Sequence, residues 1–350
     1  MSLALGAFGD YSTLSGLVGD SAAVKARADQ LQRQAATGYV ADTLGGLGAG
    51  AARQVLDLRP QIAHQAQFQS NIDATQGRLD ATQSALKGIS GIASQFYAAL
   101  PNLNGLDAGA VASVAANARQ ALAQVAGLLN TKVGDVYVFA GQTPGTAPVP
   151  NPDAIASSAF ATGIGAAVAG LATNGAAATA AATLAAAGGT SPFDPALSTL
   201  PPSVQVGDAH YAQTGVLAAQ NTLATSSGPS TTGSYMRDVL RGLATLASLS
   251  SGQVGAPGFA GLVDDTRQSL GGAISAMGAE AGALGDIQSG LAAQRSQIGE
   301  VHDALTSQLS SVTDVDMAST LSNLAQVQTQ LQASYKLIAG TKDMNLANYL

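Results

Sequence analysis

Apolar residues recur at helical spacing along a long stretch in the first half of the chain. Five of them fall seven positions apart, at Ile72, Leu79, Leu86, Ala93 and Leu100. This spacing predicts one buried side of a long helix that ends at Pro101, with Pro60 in its first turn or at a kink. A shorter apolar pattern predicts a second helix from about Ala108 to Leu129.

A similar pattern fills the last third of the chain. Apolar residues keep a spacing of three and four over most of the stretch from Leu270 to Val312, and the segment after it has a stripe of its own. This last stripe consists of Met317, Leu321, Leu324, Leu331, Tyr335 and Ile338, with Gln328 as its polar position. Because long amphipathic helices need partners along their whole side, the two terminal regions are predicted to fold onto each other as an elongated antiparallel bundle.

The pattern changes between these regions. Residues 135–141 are β-branched and aromatic and end in glycine, which predicts a strand that runs into a turn. Residues 143–232 are rich in Pro, Gly, Ala, Ser and Thr, which favours a small, loop-rich, β-containing insertion. Within that insertion, the Ala-rich part from Ala176 to Ala187 also fits a helix, and the pattern leaves both possibilities open.

The predicted fold is therefore mainly α, a bundle formed by the N- and C-terminal regions with a central insertion. Residues 1–142 would form the N-terminal half of the bundle and end in a strand or hairpin. Residues 143–232 would form an insertion exposed on the outside, and residues 233–350 the C-terminal half.

Charge and composition exclude several classes of function. The chain has 15 Lys and Arg against 22 Asp and Glu, a net charge of −7, and its basic residues are scattered. It therefore lacks the basic patch that binding to nucleic acid or to an anionic membrane requires. The chain has no Cys, which excludes disulfides, thiolate zinc sites and Cys nucleophiles. The first residues do not have the pattern of a cleavable signal peptide, and the uncharged run from Ala154 to Phe193 is too weakly hydrophobic to predict a membrane span.

Candidate catalytic and cofactor motifs are weak. The glycines of Gly46 to Gly50 loosely match a dinucleotide fingerprint, but no strand precedes them, and a flexible connector is the simpler interpretation. His64, His210 and His302 lie in different regions, with no partner at metal-ligand spacing. The sequence therefore predicts a protein that is not an enzyme and has no catalytic residues, cofactor or metal.

Two acidic residues precede the final helix. Asp314 and Asp316 could hold a cation, but their position favours helix capping. Thr313 or Asp314 is predicted as the cap, with Asp316 near the positive end of the helix.

The segment from Asp314 to Tyr335 resembles the C-terminal helix of bacterial flagellins and flagellin-like hook-associated proteins. It has an acidic-x-acidic start, then Met-Ala, Asn-Leu and a Gln-rich run to Ala-Ser-Tyr. In the N-terminal region, Gln32 to Gly38 is similar to a turn of that family, and Phe68 to Leu86 to the long helix after it. The resemblance covers about residues 25–145 and 235–350. Tyr39 to Gly50 departs from the family pattern, since it is Gly-rich where the family has a basic residue and Asp-Asp-Pro.

Two further features resemble the hook-associated members of the family that join hook to filament. Gly134 to Gln142 is similar to their Gly-x-Tyr-x-Phe-x-Gly strand, and Met344 to Leu350 to their terminal Leu-x-x-Tyr-Leu. The alternative within the family is a filament flagellin.

This resemblance implies a structural subunit of the bacterial flagellum that joins hook to filament by helix-mediated self-assembly. It implies an extracellular location, reached by export without a cleaved signal peptide. The implied partners are other hook-associated proteins, flagellin, further copies of the chain, the flagellar export apparatus and an export chaperone.

The resemblance also marks two sets of residues. The implied assembly interface consists of Met317, Leu321, Leu324, Leu331, Tyr335, Ile338, Tyr349 and Leu350. The family motif positions are Gly38, Tyr137, Phe139, Gly141, Asp314 and Asp316.

Overall fold

A computed structural model describes residues 6–103 and 107–343 of the chain. It is 72% helical, with short antiparallel strands in the middle, which confirms the predicted mainly α fold. The helices are α1 (Gly6–Thr37), α2 (Ala49–Ala99), α3 (Ala108–Leu129), α4 (Ala159–Ala169), α5 (Leu171–Gly189), α6 (Tyr235–Ala247), α7 (Phe259–Thr313) and α8 (Met317–Asp343). The strands are β1 (Lys132–Val133), β2 (Val136–Tyr137), β3 (Ser203–Gly207) and β4 (His210–Gln213).

The chain divides into two compact units. The terminal unit consists of residues 1–66 and 299–350, and the central unit of residues 67–298. The long helices α2 and α7 each contribute one part to either unit.

In the central unit, α2 and α7 run antiparallel in a constant register. Asp73 pairs with Arg295, and Asp80 accepts a hydrogen bond from Gln288 at 2.7 Å. A step of seven residues forward along α2 thus matches a step of seven residues back along α7, as expected for two helices packed through a heptad seam. The predicted stripe of α2, from Ile72 to Leu100, is the buried side, and none of its five members is more than 1% exposed.

Helix α3 has the predicted bounds, Ala108–Leu129. Its N-cap is Asp107, whose carboxylate accepts hydrogen bonds from the amides of Gly109 and Ala110 at 2.8 and 3.1 Å. Such a cap satisfies amides that have no partner within the helix. Helix α3 packs against α6, and their buried side chains belong to one hydrophobic core.

Helix α2 corrects one detail of the sequence analysis. It begins at Ala49, eleven residues before Pro60, so the proline lies in the helix interior and not in a first turn. A proline removes one helical hydrogen bond and crowds the preceding turn. The helix nevertheless includes these residues because its early turns bury apolar side chains, with Val55 fully buried and Leu58 only 5% exposed.

The predicted strand over residues 135–141 is much shorter in the structure. Only Val136–Tyr137 pairs, with Lys132–Val133, as a two-stranded ladder. Gly134 and Gly141 both adopt a positive φ and turn the chain on either side of this pair. Phe139 lies in the second turn and is completely buried. It is therefore a core residue, although it does not lie in a strand as predicted.

The segment 143–232 contains more helix than its composition favours. The stretch Ala176 to Ala187 lies in α5, so the helical possibility is the one that the chain adopts. Ile155, Phe160 and Ile164, none more than 2% exposed, belong to the same core cluster as α3 and α6. This segment therefore contributes directly to the core of the central unit.

The second hairpin, β3–β4, is held against the two long helices. The side-chain amide of Asn71 on α2 donates to the carbonyl oxygen of Gln205 at 3.0 Å, and that of Gln294 on α7 donates to Val206 at 2.8 Å. These two bonds satisfy carbonyl groups of the outer strand that the two-stranded hairpin leaves unpaired.

Two features of the described residues bear on function. None of their helices is both long and apolar enough to cross a membrane. In the same part of the chain, no three His, Asp or Glu side chains lie together as a metal ion would require.

Candidate assembly interface

Helices α1 and α8 of the terminal unit pack against each other along a narrow seam. Because α1 runs toward the turn at Gly38 and α8 runs away from the adjacent turn at Asp314, the two helices are antiparallel. The seam is spaced by three and four residues on both helices, but its buried members are few. They are Ser21 and Ala28 on α1 and Thr320 and Val327 on α8.

Most of the seam is small or polar, and this limits its stability. Full burial of a large apolar side chain contributes about 1.5–3 kcal/mol, and among these four residues only Val327 is of that kind. Leu324, Leu331 and Ile338 add partial burial on the same side of α8. Two helices joined in this way leave most of their surface to solvent.

The predicted apolar stripe of α8 is only partly covered. Leu324, Leu331 and Ile338 lie toward α1, whereas Met317, Leu321 and Tyr335 are 41%, 51% and 50% exposed. The exposed three border the side that faces α1, and we call them the outer face of α8. Large apolar side chains that line up on one exposed surface are typical of an interaction site.

The turns at the near ends of α1 and α8 are paired through their backbones. The Val40 amide donates to the Thr313 carbonyl at 2.7 Å, and the Val315 amide donates to the Gly38 carbonyl at 2.9 Å. This pairing forms an antiparallel bridge between Tyr39 and Asp314. Gly38 adopts a φ of +78°, a conformation that a residue with a Cβ rarely takes. Two of the motif positions, Gly38 and Asp314, thus meet in one structural feature, which we call the joint.

The cap of α8 differs from the prediction. Asp316, not Thr313 or Asp314, accepts the hydrogen bonds of the first helical amides, from Ala318 at 2.9 Å and Ser319 at 3.2 Å. The Thr313 hydroxyl instead donates to the Asp314 carboxylate at 2.8 Å. Asp314 is unavailable as a cap because its backbone is part of the joint. Its motif role is therefore to end α7, and that of Asp316 is to begin α8.

The other motif positions lie in the central unit. Tyr137 lies in β2, and the ammonium group of Lys132 stands over its ring, 4.3 Å from the centroid. Gly141 has a φ of +62°, and a Cβ there would lie 2.6 Å from both the Leu200 carbonyl oxygen and the Leu217 side chain. Only glycine fits this turn. These residues shape the hairpin region and do not join the α1–α8 seam.

Two predicted interface residues, Tyr349 and Leu350, lie outside the described residues. Conversely, the sequence analysis missed Thr320 and Val327, which form the seam of α8. Both residues continue the spacing set by Leu324 and Leu331, so the signal was present in the sequence. It was hidden because the more hydrophobic Met317 and Leu321 suggest a different centre for the buried side.

The buried charges of the central unit are tied into its structure. The Arg241 guanidinium, 1% exposed, donates to the Thr183 hydroxyl at 3.1 Å and to Ser230 at 2.9 Å, and lies 3.5 Å from Asp265. The buried Glu280 carboxylate accepts hydrogen bonds from the amides of Leu223 and Ala224. These bonds tie the segment before α6 to α7.

Burial shifts the protonation equilibria near Glu280. Burial raises the pKa of Glu280, although the two amide hydrogen bonds oppose the shift. The pKa of Tyr235 is also raised, chiefly by burial and further by the nearby Glu280 carboxylate. Both side chains are completely buried, so we interpret them as structural.

Comparison with known proteins agrees with the resemblance seen in the C-terminal region. Residues 268–350 match the bacterial flagellin C-terminal helical region. The fold is similar to that of a solved flagellar hook-associated protein from Vibrio parahaemolyticus, with a TM-score of 0.53 and 12% identity over 75% of this chain and 96% of that chain. At such low identity this likeness concerns the fold. No curated protein is significantly similar to the chain in sequence.

Proposed function

We propose that this chain is a structural subunit of the bacterial flagellum, of the flagellin family, and that it joins hook to filament. The match of residues 268–350 to the flagellin C-terminal helical region and the likeness in fold to a hook-associated protein support a structural role. The proposal has two parts, namely how the subunit assembles and where in the flagellum it lies.

The outer face of α8 carries the assembly part of the proposal. Met317, Leu321 and Tyr335 are about half exposed and border the side of the helix that is already occupied by α1. Because burial of such side chains is favourable by roughly 25 cal/mol per Å² of apolar surface, contact with helices of neighbouring subunits would stabilise the terminal unit and the assembly together. Head-to-tail contacts of this kind generate rings or helical tubes and not closed dimers.

The position in the flagellum rests on a different set of residues. Tyr137, Phe139 and Gly141 match the strand motif of junction subunits, and the last residues of the chain resemble their terminus. The solved protein with a similar fold is also a hook-associated protein. The alternative is a filament flagellin, which would share the terminal helices and their mode of packing.

The remaining partners follow from this proposal. A subunit between hook and filament contacts hook-associated proteins on one side and flagellin on the other, in addition to copies of itself. It reaches the outside of the cell through the flagellar export apparatus, with an export chaperone covering its apolar terminal helices beforehand.

Deletion of the gene tests the position. A junction subunit is needed once per flagellum, so the deletion strain should keep its hooks and release unpolymerised flagellin into the medium. Immunolabelling of the wild type should give one narrow band at the distal end of the hook. Label along the entire filament would reject the junction assignment in favour of filament flagellin.

Substitution on the outer face tests the mode of assembly. Leu321→Asp places a charge where a neighbouring helix would exclude water, at a cost of several kcal/mol, so the protein should be exported but not incorporated. Asn323→Asp is the matched control, because Asn323 is an exposed residue of the same helix on a different side. Motility assays and immunoblots of sheared flagella would measure the result. Normal incorporation of the Leu321→Asp protein would contradict assembly through α8.

A further inference from the structure

The first turns of α2, which belong to the terminal unit, expose a large apolar side chain between two arginines. Leu56 is 58% exposed, and Arg53 and Arg59, three residues before and after it, are exposed as well. Residues three positions apart on a helix are neighbours on its surface, so these side chains form one patch, which we call the basic face of α2. Among the exposed large apolar residues of the described helices, only Leu56 has an arginine three positions away in both directions.

The two arginines have no counterion in the part of the chain that the structure describes, since no carboxylate there lies within 4 Å of Arg53 or Arg59. This alone does not distinguish them, because Lys25 and Arg27 of α1 are also exposed and lack such a partner. The difference is apolar, because no exposed large apolar residue lies within four positions of Lys25 or Arg27. The basic face of α2 therefore combines charge with apolar surface, as the cores of protein interfaces do.

The outer face of α8 begins with the opposite charge. Asp314 and Asp316 are exposed and lie three residues and one residue before Met317, and no Lys or Arg follows in α8 until Lys336. Among the described residues, neither carboxylate has a Lys or Arg within 4 Å. Asp314 accepts a hydrogen bond from the Thr313 hydroxyl, and Asp316 accepts two from helical amides. A carboxylate has about four acceptor sites, so both can take further donors.

The two surfaces also match in length. Six residues from Arg53 to Arg59 rise about 9 Å along α2, and five residues from Asp316 to Leu321 rise about 8 Å along α8. Each surface has a leucine that is about half exposed, Leu56 on one and Leu321 on the other. Opposite charges beside matching apolar residues select a partner and fix its register.

We propose that the basic face of α2 docks on the start of the outer face of α8 in a second copy of the chain. Leu56 would lie against Met317 and Leu321, and the two arginines beside Asp314 and Asp316. This inference rests on the proposed function, in which copies of the chain assemble, and it names the surface that covers α8. Because the two surfaces differ, each copy offers one to the copy before it and one to the copy after it. Such a contact continues as a ring or a helical row and does not close as a dimer.

The lack of Cys in the chain permits a direct test in assembled flagella. A strain without the native gene would produce the full-length Leu56→Cys and Leu321→Cys variants together, and flagella isolated with their hooks would be treated with a short bismaleimide. We expect a covalent dimer that neither variant forms alone.

A competing pair controls for general proximity of subunits. Val301 of α7 is 43% exposed and follows Glu300, so Leu56→Cys with Val301→Cys tests another acidic and apolar surface of the same unit. We expect no product from this pair. Three results would reject docking on α8, namely a product from the Val301 pair, a product between Leu56→Cys and a different flagellar protein, or no product from two incorporated variants of the first pair.

Charge reversal tests the ionic part of the contact. Arg53→Glu together with Arg59→Glu should lower incorporation at least about tenfold, because like charges then meet, and Asp314→Arg added to the same chain should restore part of it. Lys25→Glu together with Arg27→Glu is the matched control and should be incorporated like the wild type. Circular dichroism establishes that each variant is folded. Unchanged incorporation of the α2 variant, a loss that Asp314→Arg does not restore, or an equal loss in the control would overturn the pairing.

The wild-type protein distinguishes failure of this pairing from failure of the proposed function. If the wild-type protein is missing from isolated flagella, the proposed function and the pairing fail together. If it is present and gene deletion releases flagellin, but the cross-linking and charge-reversal results are negative, only the pairing of these two faces is wrong.

Discussion

The terminal and central units use the same helical pattern with opposite results. In the central unit, the heptad stripe of α2 is almost completely buried, since α7, α3 and the middle segment cover it. In the terminal unit, the stripe of α8 faces α1 with only part of its width, and Leu321 remains 51% exposed. The difference lies in the number of partners and not in the sequence of the stripe.

This difference distinguishes a region with a contiguous core from one with a narrow seam. The central unit has a contiguous core, which is the usual basis of independent stability. The α1–α8 pair has a two-helix seam made largely of small side chains, and an isolated helix pair of this kind gains little from burial. Under the proposed function, the terminal unit would gain most of its stabilisation when neighbouring subunits cover it.

Truncation of a core residue should have the largest effect on the free chain. Leu122 on α3 is fully buried, so Leu122→Ala should lower the free energy of unfolding by about 2–5 kcal/mol. Urea denaturation followed by circular dichroism would measure it. A loss below about 1 kcal/mol would mean that the central core is much looser than its burial indicates.

The buried Glu280 predicts a dependence of stability on pH. Its pKa is raised in the folded chain, so the folded state holds this proton more tightly than the unfolded state. The contribution of Glu280 is fully favourable below the ordinary glutamate value of 4.5 and is lost as the pH rises through the raised pKa. Unfolding free energies measured in steps from pH 4.5 to neutrality should fall less steeply in Glu280→Gln than in the wild type. Identical slopes of unfolding free energy against pH in the two proteins would contradict a contribution from the raised pKa of Glu280.

Removal of the α8 cap should have an intermediate effect, confined to the terminal unit. Asp316→Ala deletes the acceptor for two helical amides and should destabilise α8 by about 0.5–2 kcal/mol. Hydrogen exchange should therefore accelerate in α8 while rates in α3 stay unchanged. Asp314→Ala is the control, because its side chain makes no cap. Equal acceleration in both helices would show that the units are not independently stable.

Truncation on the outer face should have the smallest effect in the free chain. Leu321→Ala removes a side chain that is half exposed, so the unfolding free energy should change by no more than about 0.5 kcal/mol. The same variant should be incorporated less efficiently into flagella, since the lost contact exists only in the assembly. A large loss of stability in the purified subunit would indicate that Leu321 already has a partner within the chain.

Local patterns predicted a considerable part of this structure. The bounds of α3 and the buried side of α2 follow from apolar spacing, and the resemblance of residues 314–335 to flagellins agrees with the family match over residues 268–350. The α8 cap was placed two to three residues too early, because Thr313 and Asp314 have the right chemistry for a cap. Asp314 does not serve as the N-cap because its backbone pairs with Tyr39 at the joint, and this contact joins residues far apart in sequence.

The sequence by itself determined the long helices α2, α3, α7 and α8, the buried side of α2 and the lack of Cys, because these depend on residue type and on the fixed period of the helix. Tertiary structure alone decided which apolar residues of α8 are covered, since Leu321 and Leu324 are chemically equal and differ only in whether α1 reaches them. Whether a side chain is buried depends on which other segments pack against its helix. The spacing of apolar residues by three and four does not identify those segments.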